Sequence, residues 1–316
     1  MALKYSIFLP QGFVHELGAF CDPIEAYETL TAVAQTVEAC GFDTVWVADH
    51  LHTATSEQHH LFESWTTVAA LLRDTSRIRI GQMVTCNDYR NPALQAKMAS
   101  TVDVLGHGRY TFGIGAGWHQ PDYDAYGYEF RAAPERLKRL REAVQIILSL
   151  WTELETTFDG EYYQVKKAIN QPKGIQQPHI PLMIAGEGEQ VTLKLVAQYA
   201  DMCNITQDPI GMRHKFEVLK KHCEAVGRNY DEIHRTVQTH CVFADSDEEA
   251  QTLVAPWTPA VFPGDVRDYG LVGNAKTIRD RLKAYEDAGA QELAISFAFP
   301  ENPDTYLRFA EEFMGG

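Results

Sequence analysis

The sequence contains no run of roughly 18 apolar residues, so we predict no transmembrane helix. Its first residues pass directly into a strand-like pattern and lack the basic start, apolar core and cleavage site of a secretory signal peptide. The 6 cysteines form no Cys-x-x-Cys motif, which favours reduced thiols that fill the core. Together these absences predict a cytoplasmic protein without a membrane partner.

Basic residues are scarce, since 28 Lys and Arg stand against 43 Asp and Glu for a formal net charge of -15. A surface of this sign repels phosphate backbones, which argues against nucleic acid as a partner. The sequence also lacks an internal repeat and a linker. Its 316 residues, 45% of them hydrophobic, fit one large barrel or two smaller globular domains.

Strand-like runs alternate with amphipathic helices along the chain. Asp22 and Pro23 begin the first helix as a capping residue and a first-turn proline, and Gly41 ends it. The eight predicted strands are 4–10, 44–48, 77–85, 110–115, 180–184, 201–205, 235–244 and 292–297. Strands that alternate with helices build a parallel sheet with right-handed crossovers. We therefore predict an α/β fold, a TIM (β/α)8 barrel that forms a single domain over residues 1–316.

Two segments interrupt this alternation. Residues 154–179 follow the fourth unit as an insertion, in which a short hairpin turns at Asp159-Gly160. Residues 256–271, rich in Pro and Gly, predict a mobile loop near the barrel mouth.

The second predicted strand ends in Asp49 and His50, with His52 close behind. In a parallel barrel the carboxyl ends of the strands carry the chemistry, so both side chains should lie at the catalytic rim. Histidine titrates near neutral pH and exchanges protons with a substrate. The alternative is a hydrogen-bonded rim histidine without a chemical role.

Two glycine-rich turns are candidate ligand contacts. Gly113-Ile-Gly115-Ala116-Gly117-Trp118 ends the fourth strand and allows a flat ligand or phosphate to approach the backbone. It fails as a dinucleotide fingerprint because Trp118 stands where the third glycine belongs. Ala185-Gly186-Glu187-Gly188 precedes a helix whose free amides favour a phosphate, although Glu187 and Glu189 weaken that interpretation. A glycine-lined interior and an ordinary turn are the alternatives.

A metal site is a further alternative. His50-Leu51-His52 resembles the His-x-His with which a barrel hydrolase holds zinc, and His240 would supply a third ligand. His59 and His60 lie in a polar loop and are expected to be solvated. By chemistry alone, the end of the third strand, Gly81 to Asn87, is only a strand end with polar groups.

Together these motifs resemble the bacterial-luciferase-like family of flavin- and deazaflavin-dependent oxidoreductases, and within it the branch that uses coenzyme F-420. The matching pieces are Gly41-Phe-Asp43, Val47-Ala-Asp49-His50, Arg90-Asn-Pro-Ala93, Gly108-Arg109, Gly113 to Trp118, Arg136-Leu137, Pro181 to Gly186, Ala200-Asp201 and Leu271-Val-Gly273.

This resemblance implies a homodimeric TIM barrel in which the cofactor lies across the carboxyl ends of the strands. It implies a non-proline cis peptide beneath the ring, by position Met83–Val84, with Thr85 beside it. The backbone of Gly115, Ala116 and Gly117 and the turn formed by Ala185, Gly186, Glu187 and Gly188 would hold the cofactor tail and phosphate. His50 would be the acid or base, and Asp49 would orient its neighbours or bond the cofactor.

The resemblance further implies a substrate pocket that contains Gln11, Asn87, Trp118 and His119. Some deazaflavin dehydrogenases carry a glutamate proton donor where this chain has Trp118, which disfavours a sugar-phosphate substrate. Tyr123 and Tyr126 would make the pocket aromatic and suited to a less polar substrate. Lys166, Lys167 and Lys173, near the insertion, are candidate contacts of the anionic cofactor tail.

We therefore predict an oxidoreductase that transfers a hydride between coenzyme F-420 and an organic small molecule. The nearest alternative is an FMN-dependent monooxygenase that uses O2. A metal-dependent barrel hydrolase and a catalytically silent cofactor-binding barrel are alternatives of other classes.

Overall fold

The computed structural model describes residues 2–54 and 57–315, so residues 1 and 316 of the predicted domain lie outside it. Eight parallel strands form the barrel: β1 Lys4–Phe8, β2 Thr44–Val47, β3 Arg79–Gln82, β4 Tyr110–Gly115, β5 Leu182–Ala185, β6 Met202–Ile205, β7 His234–Phe243 and β8 Glu292–Phe297. Each strand pairs with the next, and β8 pairs with β1 to close the ring. The predicted TIM barrel is confirmed.

Helices follow each strand and cover the outside of the barrel. They are Pro23–Cys40, Ser64–Asp74, Pro92–Leu105, Ala133–Thr152, Thr192–Tyr199, Pro209–Val226, Ala275–Asp287 and Pro303–Phe313. Shorter helices are Gln120–Tyr126, Asp247–Thr252, Thr258–Val261 and Val266–Tyr269, with 3-10 turns at Asn87–Tyr89 and Tyr230–Glu232. None of the described helices is both long and apolar enough to span a bilayer.

The first helix begins and ends where the sequence predicts. The Asp22 carboxylate accepts a hydrogen bond from the amide of Ile24 at 2.8 Å, which satisfies one of the free amides of the first turn. Gly41 has φ of 85°, a left-handed conformation that glycine adopts without steric cost.

The insertion contains the predicted hairpin, with Thr156–Asp159 antiparallel to Gln164–Ala168. Residues 256–271 were predicted to be a mobile loop. They contain two short helices, Thr258–Val261 and Val266–Tyr269. The strand Leu271–Gly273 then extends the sheet along the end of β7.

Apolar side chains also fill the inside of the barrel. Trp46, Met83, Met183 and Ala294 form a buried cluster below its carboxyl end. Trp46 fits because Gly81 has no side chain: a Cβ there would lie 2.8 Å from the indole ring. The indole donates to the hydroxyl of Ser6 at 2.9 Å, so its polar group is satisfied within the core. This packed interior forms the floor of the cavities described next.

Candidate active site

A cleft of about 300 Å³ opens at the carboxyl ends of the strands. This is the low end of the range for small-molecule pockets. Most of the predicted site residues line it: Asp49, His50, Met83, Val84, Thr85, Gly115, Ala116, Gly117, Trp118, His119, Ala185, Gly186 and Glu187. Cys86, Tyr89, Thr192, Asn204, Thr206 and Gln238 complete its lining.

A smaller cavity of about 120 Å³ adjoins the cleft. The segment between β1 and the first helix supplies much of its wall, including Gln11, Phe13 and Glu16. His50, Met83, Trp118 and Gln238 line both cavities. The two cavities therefore share a wall, and His50 is part of that wall.

The His50 ring is fixed on two sides. The Phe13 ring stacks on it with centroids 3.7 Å apart and an interplanar angle of 10°. Nδ1 lies 2.7 Å from Oδ2 of Asp122. Since a carboxylate accepts the Nδ1 proton, Nε2 is the nitrogen that remains for a ligand. The ring thus leaves Nε2, not Nδ1, available to a ligand.

Asp122, which the sequence analysis missed, holds the His50 loop. Its buried carboxylate accepts from the amides of Leu51 at 3.0 Å and His52 at 2.7 Å, and from the Tyr89 hydroxyl at 3.0 Å. Burial opposes ionisation, but the hydrogen bonds and charge of His50 and its other donors prevail and lower the pKa of Asp122. Its place in the first turn of the helix that follows the glycine motif is the only sequence signal for this role.

Asp49 is buried and its carboxylate is fully engaged. It accepts from the Thr85 hydroxyl at 2.7 Å and the Cys86 amide at 2.9 Å. Arg90 donates to both of its oxygens, at 2.7 and 3.0 Å, and also to Glu63 at 2.8 Å. A carboxylate with this many donors is suited to hold the end of β3 in place rather than to transfer protons. Arg90 and Glu63 were not predicted as part of the site.

The peptide bond between Met83 and Val84 is cis, as the resemblance implied. Both residues line the cleft, and Met83 also lines the smaller cavity. Thr85–Cys86 then pairs with the end of β4, which brings this segment beside Gly115.

The glycines in β4 and just after it serve different purposes. A Cβ on Gly113 would lie 2.1 Å from the Gln82 carbonyl oxygen, so the interior interpretation applies to this residue. Gly115 and Gly117 line the cleft. Gly117 has φ of 80°, and a Cβ there would lie 2.0 Å from the Tyr123 hydroxyl. Gly115 and Gly117 therefore add no side-chain bulk to this side of the cleft.

The turn after β5 lies at another side of the cleft. Ala185, Gly186 and Glu187 line it, whereas Gly188 packs beside the Thr192 hydroxyl and does not. The Glu187 carboxylate accepts from the Thr206 amide at 2.8 Å. Glu189 pairs with Lys215 at 2.7 Å. Both acidic side chains therefore have partners within the protein.

The His119 imidazole lines the cleft. Burial, reinforced by the neighbouring His50, lowers the pKa of His119. Its ring lies edge-on to Phe13, His50 and Trp118, with centroids 5.0 to 5.3 Å apart. Nε2 is buried and has no hydrogen-bond partner among the described residues. A buried polar atom without a partner is a candidate ligand contact.

Glu16 is the titratable side chain that belongs only to the smaller cavity. Its carboxyl accepts from the Val14 amide at 2.9 Å. Burial raises the pKa of Glu16 to about 7 despite the backbone donors that oppose the shift. This side chain was not predicted from the sequence, and it places an acid of near-neutral pKa beside aromatic walls.

Other predicted contacts lie elsewhere. Asn87 is buried and donates to the Tyr163 hydroxyl at 3.1 Å, outside the lining of both cavities. Tyr123 lies behind Cys86, and Tyr126 is exposed. The Lys173 prediction is wrong, because its ammonium donates to the Leu150 carbonyl at the end of a barrel helix. Helices run antiparallel to the strands, so this end is remote from the cleft.

The predicted zinc ligands do not converge. His50 Nδ1 contacts Asp122, and His52 Nδ1 contacts the Thr53 carbonyl at 3.2 Å. His240 is buried against the Trp257 ring. Within residues 2–54 and 57–315, these three histidines form no common ligand group.

Comparisons with known proteins agree with this architecture. The sequence profile of the family described as luciferase-like monooxygenase matches residues 4–262. An F-420-dependent glucose-6-phosphate dehydrogenase of Kineococcus radiotolerans is 32% identical over 235 residues, which cover 73% of this chain and 68% of that protein. The oxygenase component of a flavin-dependent trigonelline monooxygenase of Acinetobacter baylyi is 24% identical over 309 residues, with 86% and 83% covered.

Among solved structures, an F-420-dependent secondary alcohol dehydrogenase in complex with an F-420–acetone adduct superposes with a TM-score of 0.83. It is 21% identical, and the superposition covers 99% of both chains. At this identity the likeness shows a shared fold only. The closed barrel and the cleft at the carboxyl ends of its strands define a TIM-barrel enzyme with a candidate active site in that cleft. The chain belongs to the luciferase-like monooxygenase family and is an oxidoreductase.

Proposed function

We propose that this enzyme transfers a hydride between coenzyme F-420, bound in the larger cleft, and an organic small molecule bound in the smaller cavity. The observation that carries the proposal is the shared wall: His50 borders both cavities and presents Nε2. Hydride transfer needs the two reactants side by side with a proton donor or acceptor within reach.

The cleft fits a flat ring with a phosphate-bearing tail. Gly115, Ala116 and Gly186 contribute little side-chain bulk to its walls. Thr192, the first residue of the helix Thr192–Tyr199, lines the same cleft, and the amides at the start of a helix favour an anion. The partnerless Nε2 of His119 adds a polar contact. When bound, the deazaflavin supplies the hydride acceptor or donor, which is chemistry that no side chain provides.

In this proposal His50 moves the proton. As the substrate carbon loses or gains a hydride, Nε2 takes the proton from, or returns it to, the adjoining heteroatom. Asp122 keeps the ring oriented, much as a buried carboxylate orients histidine in other acid-base sites. Asp49 is a positioning residue that fixes Thr85 and Cys86 in the wall of the cleft.

The substrate we propose is less polar than a sugar phosphate. Among the described residues that line the smaller cavity there is no Lys or Arg, and Glu16 is an acid. A phosphate dianion would have no Lys or Arg partner there and would face the Glu16 carboxyl. Phe8, Phe13, Trp118 and Trp257 instead offer apolar surface.

Reduced FMN with O2 is the second candidate, favoured by the flavin-dependent trigonelline monooxygenase among the relatives. A fluorescence titration with F-420 and with FMN, each oxidised and reduced, separates the two. We expect a dissociation constant for F-420 at least about tenfold below that for FMN, a difference of about 1.4 kcal/mol. Tight FMN binding with negligible affinity for F-420 would overturn the choice.

Thr192→Val is the matched probe of the cleft, since it removes a hydroxyl and keeps the shape. It should weaken the binding of F-420, whose phosphate would contact this helix terminus. It should leave the binding of a deazaflavin without phosphate unchanged. Equal losses of affinity for both ligands would show that the phosphate does not bind at this position.

We also retain two proposals from the sequence, a homodimer and a cytoplasmic location. Light scattering of the purified chain tests the first, and fractionation of the source cells tests the second.

A further inference from the structure

A group of side chains that can ligate a metal ion lies outside the cleft. His15, Glu57 and His59 place one ligand atom each within 4.8 Å of one another. Glu57 Oε2 is 3.1 Å from His59 Nε2 and 3.7 Å from His15 Nδ1. The rings of the two histidines lie edge-on with centroids 4.8 Å apart. None of these three residues lines the cleft or the smaller cavity.

Two of the three separations are compatible with a common ion. Zinc binds nitrogen and oxygen at about 2.0 to 2.2 Å with tetrahedral geometry, which separates neighbouring ligand atoms by about 3.4 Å. The two observed distances from Glu57, 3.1 and 3.7 Å, lie on either side of that value. The longer one exceeds a hydrogen bond. Imidazole with carboxylate favours zinc or a similar transition metal over magnesium or calcium.

The backbone holds the two parent segments together. The Ala54 amide donates to the Phe13 carbonyl at 2.8 Å, and the Phe62 amide donates to the Gln11 carbonyl at 3.3 Å. Gly12 permits the close approach of the two segments, because a Cβ there would lie 1.9 Å from the His60 carbonyl oxygen. The ligand atoms are therefore brought together by the fold, not by the side chains alone.

We propose that His15, Glu57 and His59 bind one divalent transition-metal ion, with Zn²⁺ the best fit. The ion ties the segment of residues 11–20 to that of residues 57–62. Because Gln11, Phe13 and Glu16 of the first segment form a wall of the smaller cavity, the bound ion stabilises that wall. Three protein ligands leave a fourth position for water. Glu57 is largely exposed, which gives the ion a path from solvent.

Calorimetric titration of the full chain, stripped of metal, with Zn²⁺ tests the site, and Co²⁺ serves as the spectroscopic probe. We expect one ion per chain and visible absorption of tetrahedral Co²⁺. The variants His15→Ala, Glu57→Gln and His59→Ala should each weaken binding at least about tenfold, since loss of an outer-shell partner alone costs about that much. His60→Ala, one residue from the site, is the matched control and should bind as the unmodified chain does.

Thermal unfolding provides a readout independent of turnover. Excess Zn²⁺ should raise the unfolding temperature of the unmodified chain and of His60→Ala, but not that of His59→Ala, since an ion that binds only the folded state stabilises it. Failure to bind Zn²⁺ at millimolar concentration, or unchanged binding by all three variants, would show the cluster to be an ion pair only. Neither result depends on which cofactor occupies the cleft.

Discussion

His50 Nδ1 and Asp122 Oδ2 lie 2.7 Å apart although 72 residues separate them in the chain. The pair joins the end of β2 to the short helix after β4. It directs the imidazole so that Nε2 is the nitrogen available to a ligand. Asp122 also accepts two amides of the same loop, so one carboxylate sets both the ring and the backbone that carries it.

Replacing His50 with Ala should lower kcat by about 100-fold or more, the usual contribution of general acid-base catalysis. Steady-state turnover on an identified substrate measures it. His52→Ala is the control, because His52 lines neither cavity. Turnover equal to that of the unmodified enzyme would exclude His50 from the chemistry.

Asp122→Asn should lower kcat less than His50→Ala does, because the ring remains but loses its orienting carboxylate. The double variant should then be no slower than His50→Ala alone, since residues that act as a unit are not additive. A double-mutant cycle measures this. Additive losses would mean that Asp122 acts independently of His50.

Replacing Arg90 with Ala should destabilise the protein by about 3 kcal/mol, because it leaves the buried Asp49 carboxylate without its bidentate partner. Urea unfolding measures the change. Arg141→Ala, at an exposed position, should alter the free energy of unfolding by at most about 0.5 kcal/mol. Similar values for both variants would contradict the role assigned to Arg90.

Glu16→Gln should make stability less dependent on pH between about 5 and 8. The folded-state pKa of about 7 lies above the ordinary value of 4.5, so the folded protein holds this proton longer than the unfolded chain. The unmodified protein therefore loses stability as the pH rises through 7, by about 1 to 3 kcal/mol. Urea unfolding at pH 5 and pH 8 should show near-equal stabilities at the lower pH and a more stable variant at the higher. A constant difference would contradict the raised pKa.

Gly117→Ala should destabilise the protein by about 1 to 3 kcal/mol more than Gly127→Ala. Both glycines have positive φ, 80° and 76°, so both variants carry similar backbone strain. Only at Gly117 does the added Cβ meet the Tyr123 hydroxyl, whereas nothing lies within 4 Å at Gly127. Thermal unfolding of the two variants isolates the steric part. Equal destabilisation would indicate that Tyr123 moves aside freely.

Local patterns predicted the elements that form the barrel. Apolar periodicity, Asp22 and Gly41 located the first helix, and the short β-rich run before Asp49 located β2. These signals are readable because capping and amphipathicity depend on neighbours within a few residues. The cis bond at Met83–Val84 came from resemblance alone, since nothing in its chemistry distinguishes that strand end.

Contacts between distant loops were beyond such reasoning. Asn87 follows β3 as predicted, yet its side chain turns to Tyr163 of the insertion. Glu16 follows β1 without any motif, yet it lies in the smaller cavity. A side chain at a strand end can face the cleft or the surrounding loops, and packing among those loops decides which.

The order of strands and helices, the acidic charge and the position of Asp49 and His50 at a strand end could all be read from the chain. That Asp122 orients His50, that Arg90 pairs with Asp49 and that two cavities share one wall became visible only in the folded protein. The physical reason is one of range. Secondary structure follows interactions within a turn of chain, whereas a site at the barrel mouth joins loops whose separation depends on how the whole ring closes.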